Sequence, residues 1–576
     1  MSESRFNWAV AVLLLLVCCI AYVNTLDGDW VWDDVSSVLL HRHVQQPSQF
    51  FQLFREDQHA FGRGQGNFYR PLVAASFMLD YYVSGGPSPD EYDTRALPEV
   101  SPFLFHVTNM LWHYLAALLF FLLLHQLGAP RFVKMAAPLV FVAHPLHTEA
   151  VAYISGRADM MSAVGIFAAL CFAVTAIRLE RPLLGVAGAA LCFVGGLLSK
   201  ESTLIYPVLL LFVFVYLVTS APVDKDAKAN VDHPRLWRLL PLISSFVILV
   251  GYLVLRTTVL RFAEGDAMAA APLSQRLFET IQSLGVYAQL LFMPVGLHME
   301  RTLDNVSSAY ALVGALFLVF LIATAALSWR HGAAHSKRIA LGLMWFMAAW
   351  LPISGIFPLN APLAEHWMYV PMAGFWWALA EIAWRVCQSS ARRQQVAAAI
   401  ILATCVVFVV MTAHRNRDWG SNERLFRATL RQNPNTVRVH YNLAVTYDNL
   451  MQNYAGARRH YERYLELRAA ERAADMDQAI FTGDDIEVRL SLGRVLLESG
   501  EYVEAVNVLA PLRQLADIDA WRPTAAMASF QAGQALLALG DMAQAHVFFD
   551  TAIQMHPELT GEVEGIMSGM PFYDGY

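Results

Sequence analysis

The sequence has little charge for its length. Only 15% of its 576 residues are charged and 56% are hydrophobic, against roughly 25% and roughly 45–50% in a typical soluble domain. This deficit indicates a protein that lies largely in a membrane. The net charge of −7 mixes both signs along the chain. It argues against nucleic acid as a partner, because nucleic acids bind concentrated positive surfaces.

Cysteine is also scarce. The six cysteines lie within or beside apolar runs, and none lies in a large polar loop. No pair has the CxxC spacing of a metal or redox site, so both a disulfide framework and a cysteine-based metal centre are disfavoured. We interpret the cysteines as small buried apolar residues.

Nucleotide-binding motifs are missing as well. No P-loop, G-x-G-x-x-G or G-x-S-x-G occurs in a fitting context, which disfavours a nucleotide-driven pump. A secondary transporter would place polar breaks near the middle of repeated apolar halves. Here the polar residues gather at the ends of the apolar runs, an arrangement that favours an enzyme acting on a lipid headgroup at the membrane surface.

Apolar runs of membrane-spanning length recur between residues 7 and 413, and one span needs about 20 apolar residues. We predict a first span that is retained rather than removed as a signal peptide. The run 277–297 is broken by Pro294 and Gly296, and we treat it as re-entrant or surface-bound. Eleven spans are then predicted, at about 7–26, 103–127, 133–152, 159–177, 183–198, 203–219, 239–257, 309–328, 339–357, 367–385 and 395–413.

The basic residues between these runs predict the orientation. With a cytoplasmic N-terminus and eleven spans, every short basic loop falls on the cytoplasmic side, as the positive-inside rule requires. The loop 27–102 and the C-terminal region then lie together on the outer face. We predict an all-α fold in which a polytopic transmembrane helix bundle, residues 1–415, precedes a soluble domain, residues 416–576.

The soluble domain is predicted to be an α-solenoid of tetratricopeptide repeats at about 436–469, 486–519 and 526–559. The last repeat shows the pattern most clearly, because small, aromatic and helix-ending residues recur there at the expected positions. These residues are Gly533, Gly540, Ala545, Phe549, Ala552 and Pro557. Such arrays form concave surfaces that bind proteins. A generic helical domain is the alternative interpretation.

Two adjacent carboxylates, Asp33 and Asp34, follow the first predicted span in "LDGDWVWDDVSSVLL". A carboxylate at a membrane surface between tryptophans can have a raised proton affinity. It can then take the proton of an alcohol that attacks a substrate. The alternative is a solvated or helix-capping pair.

Two cations interrupt apolar sequence on the same predicted face. Arg70 lies in "NFYRPLVAASF", and its planar guanidinium suits a phosphate. Lys200 and Glu201 lie in "GGLLSKESTLIYP", where a lysine opposes the positive-inside trend and indicates an anionic headgroup as partner. The alternatives are an interfacial anchor for Arg70 and an internal ion pair for Lys200 with Glu201.

The densest polar cluster lies in "FVAHPLHTEAVAYISGRADMMSAV", which contains His144, His147, Glu149, Arg157 and Asp159. We expect a hydrogen-bonded network that shapes a polar pocket. A metal held by the two histidines is the alternative, although Pro145 separates them and the spacing fixes no third ligand.

Two later stretches carry further candidates. Arg301 lies in "LLFMPVGLHMERTLD", and Glu365, His366 and Tyr369 lie in "NAPLAEHWMYVPMAGF". Both follow or precede predicted spans, so interfacial residues without chemistry are the alternative.

Taken in order, "WDD", "YRPL", "HPLHTEAVAYISGRAD" and "SKE" resemble the TMTC-type proteins of the GT-C superfamily, transmembrane glycosyltransferases with tetratricopeptide repeats. The resemblance covers nearly the whole chain. It implies transfer of a hexose, typically mannose, from a polyprenyl phosphate to Ser or Thr hydroxyls of proteins. It also implies a lipid-linked sugar donor as membrane partner and an acceptor protein bound by the repeats. It implies neither a tightly bound cofactor nor an obligatory metal.

The resemblance also assigns roles to the candidate residues. It implies Asp33 or Asp34 as general base, with Asp33 preferred, and inversion at the sugar. The residues implied to hold the departing phosphate are Lys200, Arg70, Arg157 and Arg301. Those implied to line the sugar or acceptor pocket are His144, His147, Glu149, Asp159, Glu201, Glu365, His366 and Tyr369.

Two departures from the family pattern carry further expectations. His366 stands where the family usually has arginine, which weakens any phosphate role for this position or passes that role to Arg301. The repeat array is short, so we expect a bacterial relative in the inner membrane, with periplasmic repeats. The competing functions are transfer to a glycan or lipid acceptor, and a non-catalytic membrane scaffold that recruits partners.

Overall fold

The computed structural model describes residues 2–61, 68–91, 97–178, 182–220, 236–260, 272–303, 305–357, 359, 361–474 and 483–568. The chain divides into two compact units, Met1–Leu425 and Phe426–Tyr576. Within the described ranges every regular element is helical, and the only β pairing is an isolated bridge between Arg301 and Leu363. The all-α prediction is therefore confirmed for these residues. The assignment of the two units as a membrane domain and a repeat domain stays a prediction.

The first unit contains α1 (Glu3–Tyr22), α2 (Pro71–Val83), α3 (Phe103–Gln126), α4 (Arg131–Ala143), α5 (Thr148–Ala152), α6 (Arg157–Arg178) and α7 (Pro182–Leu197). It continues with α8 (Tyr206–Ser220), α9 (Leu240–Thr258), α10 (Leu273–Phe292), α11 (Ala309–His331), α12 (Ala334–Trp350), α13 (Tyr369–Cys387) and α14 (Ala391–Asn416).

Among the described residues, seven helical segments are long and apolar enough to cross a membrane. They are Glu3–Thr25, Phe103–Gln126, Ile154–Arg178, Glu201–Ser220, Trp237–Thr258, Ala309–His331 and Ala391–Gly420. Helices α9, α11 and α14 leave large apolar side chains such as Phe246, Leu316 and Val410 exposed. Exposed apolar faces of this extent are unfavourable in water and are typical of lipid-facing helices. The total of eleven spans stays a prediction.

Helix α6 lies at the centre of the first unit and is buried along most of its length. Small residues allow other helices to approach closely. A Cβ atom at Gly342 of α12 would lie 2.6 Å from the carbonyl oxygen of Gly374 in α13. Glycine is therefore needed at this crossing, as is common where membrane helices pack without a hydrophobic driving force between them.

The span predicted over 133–152 is not one continuous helix. Helix α4 ends at Ala143, and His144 has extended backbone angles (φ −74°, ψ 129°). The reason is Pro145, whose ring disfavours a helical conformation for the preceding residue. A short 3₁₀ turn, Pro145–His147, and α5 follow. This break brings the polar residues after His144 to the end of the bundle that also carries the loop after α1.

The segment after α1 folds onto this end through its own apolar cluster. Val38, Leu53 and Phe77 are fully buried there against Phe105 at the start of α3 and Ile154 before α6. Helix α2 begins at Pro71, a residue suited to a first helical position because its missing N–H has no helical partner in any case. The cluster fixes the acidic pair and Arg70 relative to α3 and α6.

The second unit consists of helical hairpins. Its helices are α16 (Val437–Val445), α17 (Tyr454–Ala474), α18 (Gly483–Glu498), α19 (Tyr502–Leu509), α20 (Arg522–Ala538), α21 (Met542–Met555) and α22 (Thr560–Ser568), and α15 (Asn422–Gln432) begins in the first unit. In the hairpin α20–α21 a Cβ atom at Gly533 would lie 2.7 Å from the Phe549 ring. The small and aromatic positions therefore meet as the pattern predicts, while their assignment as tetratricopeptide repeats stays a prediction.

Candidate functional site

Asp34 is completely buried at the end of the bundle. Its Oδ1 accepts hydrogen bonds from the backbone N–H of Ser155 at 2.8 Å and from the Ser155 hydroxyl at 2.7 Å. Its Oδ2 accepts one from the Val31 N–H at 3.2 Å. Burial raises the pKa of Asp34 to about 7, although these hydrogen bonds oppose the shift. Asp34 thus joins the loop after α1 to the turn before α6.

Asp33 differs from its neighbour because its side chain is only partly buried. Trp32, directly before it, has a left-handed backbone conformation with φ 50°, which costs a non-glycine residue about 1–3 kcal/mol. The Trp32 N–H donates to Asn422 Oδ1 at 2.8 Å, and its ring stacks on Tyr153 at 5.7 Å. Such strain persists only when the surroundings hold it, and it is typical of functional sites. The local fold therefore fixes Asp33 in an accessible position.

The 57–59 segment lies between the acidic pair and Arg70. His59 Nδ1 lies 3.1 Å from the Ser36 hydroxyl, and Arg70 Nη1 donates to Gln58 Oε1 at 3.4 Å. Burial lowers the pKa of His59, Asp33 opposes this shift and Arg70 adds to it. Asp33 and Arg70 therefore both lie within electrostatic range of the His59 imidazole. The fold brings Asp33 and Arg70 into one polar region.

Arg70 and Lys200 each face a carboxylate in this region. Arg70 Nη2 donates to Glu201 Oε2 at 3.3 Å, and its guanidinium lies 4.7 Å from the centre of the Phe68 ring. Lys200 Nζ lies 2.7 Å from both Asp159 oxygens. Burial lowers the pKa of Lys200, and Asp159 opposes the shift. Lys200 thus forms its ion pair with Asp159, whereas Glu201 pairs with Arg70.

Arg157 is fully buried, and its guanidinium is surrounded by protein groups. It forms an ion pair with Asp80 at 2.6 Å and donates to Asn109 Oδ1 at 2.7 Å. It also donates to the Ser76 hydroxyl and to the Phe105 carbonyl, each at 3.0 Å. These contacts connect α2, α3 and α6, so the side chain cross-links the outer segment to the bundle.

A second polar cluster lies between the turn before α5 and the segment before α13. Glu149 pairs with His366 Nδ1 at 3.0 Å and accepts from the His366 backbone N–H at 3.0 Å. Glu365 pairs with Arg301 at 3.3 Å and with Arg415 at 3.5 Å. The late candidates Arg301, Glu365 and His366 thus meet in one place, together with Glu149.

The stacked rings Trp32, Tyr153 and Trp419 connect this second cluster to the acidic pair. Tyr153 stacks on Trp419 at 5.2 Å, and the Arg415 guanidinium lies 5.9 Å from the Trp419 ring centre. The clusters around Asp33 and Glu365 therefore belong to the same end of the first unit.

His144, His147 and Tyr369 lie deeper, in the apolar core of the bundle. His144 Nε2 donates to the Leu291 carbonyl at 3.1 Å, and its Nδ1 accepts from the Leu146 N–H at 3.2 Å. The His147 ring packs 4.4 Å from those of Phe141 and Tyr369. In the part of the chain that the structure describes, no group of three His, Cys, Asp or Glu side chains has the arrangement of a metal site.

Several residues of this region were missed in the sequence. Ser155 holds Asp34, Asp80 holds Arg157, and His59 lies between Asp33 and Arg70. Nothing in their spacing indicates these roles, because each depends on contacts between distant segments. Arg415 is an exception: a cation directly after the last apolar run is a recognisable signal.

Comparison with known proteins gives distant relatives. No protein-family model matches the chain. It is 24% identical over 535 residues to "Protein O-mannosyl-transferase TMTC3" of Mus musculus, covering 88% of this chain and 55% of that protein. It is 26% identical over 488 residues to "Protein O-mannosyl-transferase TMTC4" of Homo sapiens, covering 76% of this chain and 63% of that protein. The chain thus spans little more than half the length of these curated relatives.

Among solved structures, the crystal structure of an Archaeoglobus fulgidus oligosaccharyltransferase tethered with an acceptor peptide matches with a TM-score of 0.40 and 14% identity. The match covers 80% of this chain and 59% of that one, and a score this low carries no argument about the site. The two named relatives are animal proteins, so a bacterial origin and an inner-membrane location stay predictions. The chain is similar in sequence, over most of its length, to proteins named as protein O-mannosyl-transferases.

Proposed function

We propose that the chain is a membrane glycosyltransferase that moves a hexose from a polyprenyl phosphate to Ser or Thr hydroxyls of proteins. The observation that supports it most is the 57–59 segment, where His59 Nδ1 lies 3.1 Å from the Ser36 hydroxyl beside the acidic pair and Gln58 accepts a hydrogen bond from Arg70. An acid able to accept a proton and a cation able to hold a phosphate thereby share one region. Mannose is the proposed sugar, because the relatives are named mannosyltransferases.

Asp33 is the proposed general base. Its side chain is partly exposed, whereas both Asp34 oxygens are occupied by Ser155 and Val31. Asp33 takes the proton of the acceptor hydroxyl, and the hydroxyl oxygen forms a bond to the anomeric carbon of the sugar. The bond from that carbon to the lipid phosphate breaks on the opposite face, and the phosphate leaves with the electron pair. Configuration at the anomeric carbon is therefore inverted.

Asp34 acts as a positioning residue in this proposal. Its three hydrogen bonds tie the loop that carries Asp33 to the turn before α6. A base must be held within hydrogen-bond reach of the proton that it abstracts. Asp34 supplies this placement without contacting the acceptor.

Lys200 and Arg70 are the proposed ligands of the departing phosphate. Each already faces a carboxylate, Asp159 and Glu201 respectively, which keeps the cation in place before the donor binds. Negative charge develops on the phosphate as the sugar leaves, and positive groups in a water-poor site stabilise that charge. Arg157 instead holds α2 against α3 and α6, because Asp80, Asn109 and Ser76 surround it.

The second cluster, with Glu149, Arg301, Glu365 and His366, is the proposed side of the sugar or acceptor pocket. Arg301 and Arg415 both pair with Glu365, so His366 does not need to supply a cation there. Asp159 and Glu201 act through Lys200 and Arg70. His144, His147 and Tyr369 lie in the core and shape the pocket from behind. The proposal needs no metal and no tightly bound cofactor.

The hairpins of the second unit are the proposed binding surface for the acceptor protein, as expected for tetratricopeptide repeats. The proposed location is a bacterial inner membrane with a cytoplasmic N-terminus and periplasmic hairpins. A reporter fused near residue 480 tests this orientation, because it should be active only outside the cytoplasm.

The direct test uses the purified full chain with a radiolabelled polyprenyl-phosphate hexose and peptides rich in Ser and Thr. We expect label on the peptides and an inverted anomeric configuration in the product. Label found only on added glycans or lipids would show that the acceptor is a glycan or a lipid and not a protein. No transfer by protein that retains its helical circular dichroism, with any of several lipid-linked hexoses, would contradict an enzymatic function.

A further inference from the structure

A cavity of about 460 Å³, lined by polar and charged residues, lies where α1 and α14 end, apart from the groups used above. Asn24 and Asp27 line it from the segment after α1, and Asn416, Arg417 and Arg424 line it from the end of α14 and beyond. Both helices belong to segments long and apolar enough to cross a membrane. If both segments cross a bilayer, their ends place the cavity near the lipid headgroups.

The two arginines of this cavity are exposed and, within the described part of the chain, pair with no carboxylate. Unpaired guanidinium groups at the end of a membrane helix are suited to phosphate, which they bind with two parallel hydrogen bonds. Asp27 is also exposed. A ligand with a single negative group would meet both attraction and repulsion here, whereas a ligand with both charges would complement the cavity.

Asn416 provides an independent indication of a ligand. It is only 2% exposed and its Nδ2 donates to the Ala21 carbonyl and to Asn24 Oδ1, each at 2.8 Å. Its Oδ1 accepts no hydrogen bond from the described residues. A buried carbonyl oxygen that accepts no hydrogen bond has lost its contacts with water without compensation, which is unfavourable. A donor entering the cavity would remove that penalty.

We propose that this cavity binds a lipid headgroup that carries a phosphate and a primary ammonium, as in phosphatidylethanolamine. Arg417 and Arg424 hold the phosphate. The ammonium donates to Asp27 and to Asn416 Oδ1. A primary ammonium has both the positive charge that Asp27 attracts and the N–H donors that serve both acceptors, whereas a quaternary amine has no donor and a glycerol has hydroxyl donors but no charge.

The proposed site is connected to the loop that carries the acidic pair. The Asp29 N–H donates to the Gly420 carbonyl at 3.2 Å, and the Trp32 N–H donates to Asn422 Oδ1 at 2.8 Å. Both acceptors lie between Arg417 and Arg424 in sequence. A bound headgroup therefore braces the segment against which the strained Trp32 is held.

Lipid binding by the full chain in detergent tests the proposal. Dihexanoyl lipids with ethanolamine, choline or glycerol headgroups are titrated separately, and dissociation constants are measured by microscale thermophoresis. We expect the ethanolamine lipid to bind at least about tenfold more tightly than the other two. The double variant Arg417→Gln/Arg424→Gln should weaken it by about 10- to 100-fold, the range for loss of charge-assisted hydrogen bonds.

The Asp27→Asn variant should remove the preference for ethanolamine over choline while retaining phosphate binding. Arg393→Gln, an exposed arginine at the other end of α14, is the matched control and should bind as the unaltered protein does. Equal affinity for all three headgroups, or unchanged binding in the double variant, would overturn the proposal. If free phosphoethanolamine bound as tightly as the lipid, the ligand would not need to be a lipid, and that part of the proposal would be overturned.

Discussion

Replacing Arg157 with glutamine tests whether this arginine stabilises the fold or binds the phosphate of the donor. The family resemblance implies a phosphate ligand, whereas the structure surrounds the guanidinium with Asp80, Asn109, Ser76 and Phe105. Removing one partner of a buried ion pair leaves the other charge unpaired, which costs about 3–5 kcal/mol. We expect Arg157→Gln to lower the free energy of unfolding by this amount.

The loss should also depend on pH. Burial raises the pKa of Asp80, and Arg157 opposes that shift. Without Arg157 the folded protein retains a proton on Asp80 that the unfolded chain releases near pH 4. The variant's stability should therefore fall as pH rises from about 4 towards neutrality. Its deficit relative to the unaltered protein should be larger at pH 8 than at pH 5.

The assay is unfolding by SDS in mixed micelles, followed by tryptophan fluorescence at both pH values. Arg178→Gln, which alters an exposed arginine at the other end of α6, should cost less than about 1 kcal/mol. Asp80→Asn added to Arg157→Gln should recover part of the loss, because no buried charge remains. An Arg157→Gln protein that stays within about 1 kcal/mol of the original but no longer binds the lipid-linked donor would refute the cross-linking role.

Three further predictions concern other parts of the molecule. Lys200→Gln should raise the KM for the lipid-linked donor about 10- to 100-fold, with Lys200→Arg affected less; an unchanged KM in a steady-state transfer assay would remove Lys200 from the phosphate site. Burial raises the pKa of Asp34 to about 7, so the folded protein holds a proton that the unfolded chain releases near pH 4. Stability should then fall by up to about 1.4 kcal/mol per pH unit across that window, and Asp34→Asn should abolish this slope in unfolding curves recorded from pH 4 to 7. Gly533→Ala places a Cβ atom 2.7 Å from Phe549 and should destabilise the second unit by about 1–3 kcal/mol, whereas Gly561→Ala, with no atom within 4 Å, should not; equal melting temperatures would contradict the close packing of α20 on α21.

The helices were predictable because their signals are local. Long apolar runs give α1, α3, α9, α11 and α14 within a few residues of the expected ends. The break at His144 could also have been predicted, since Pro145 disfavours helix at the residue before it. The small and aromatic residues of the last hairpin are similarly close in sequence, so their contact follows from helix periodicity.

The partners of the candidate residues were not predictable in the same way. Glu149 and the His366 backbone are 217 residues apart, and Arg157 and Ser76 are 81 apart. For Lys200 the prediction was an anionic headgroup, with its sequence neighbour Glu201 as the alternative partner, and the structure places its Nζ beside Asp159 at the start of α6. Such contacts depend on helix packing, which composition and spacing do not specify. The sequence therefore located the polar end of the bundle but not the pairing within it.

The rate of hexose transfer by Asp33→Asn at saturating donor and acceptor tests the central claim most directly. Asp29→Asn, an exposed acid four residues earlier in the same loop, is the matched control. General-base catalysis contributes about 10²- to 10⁴-fold, so we expect kcat to fall by that factor in Asp33→Asn and to stay unchanged in Asp29→Asn, with both proteins equally stable. A kcat for Asp33→Asn within about twofold of the unaltered protein would contradict the claim that Asp33 takes the acceptor's proton.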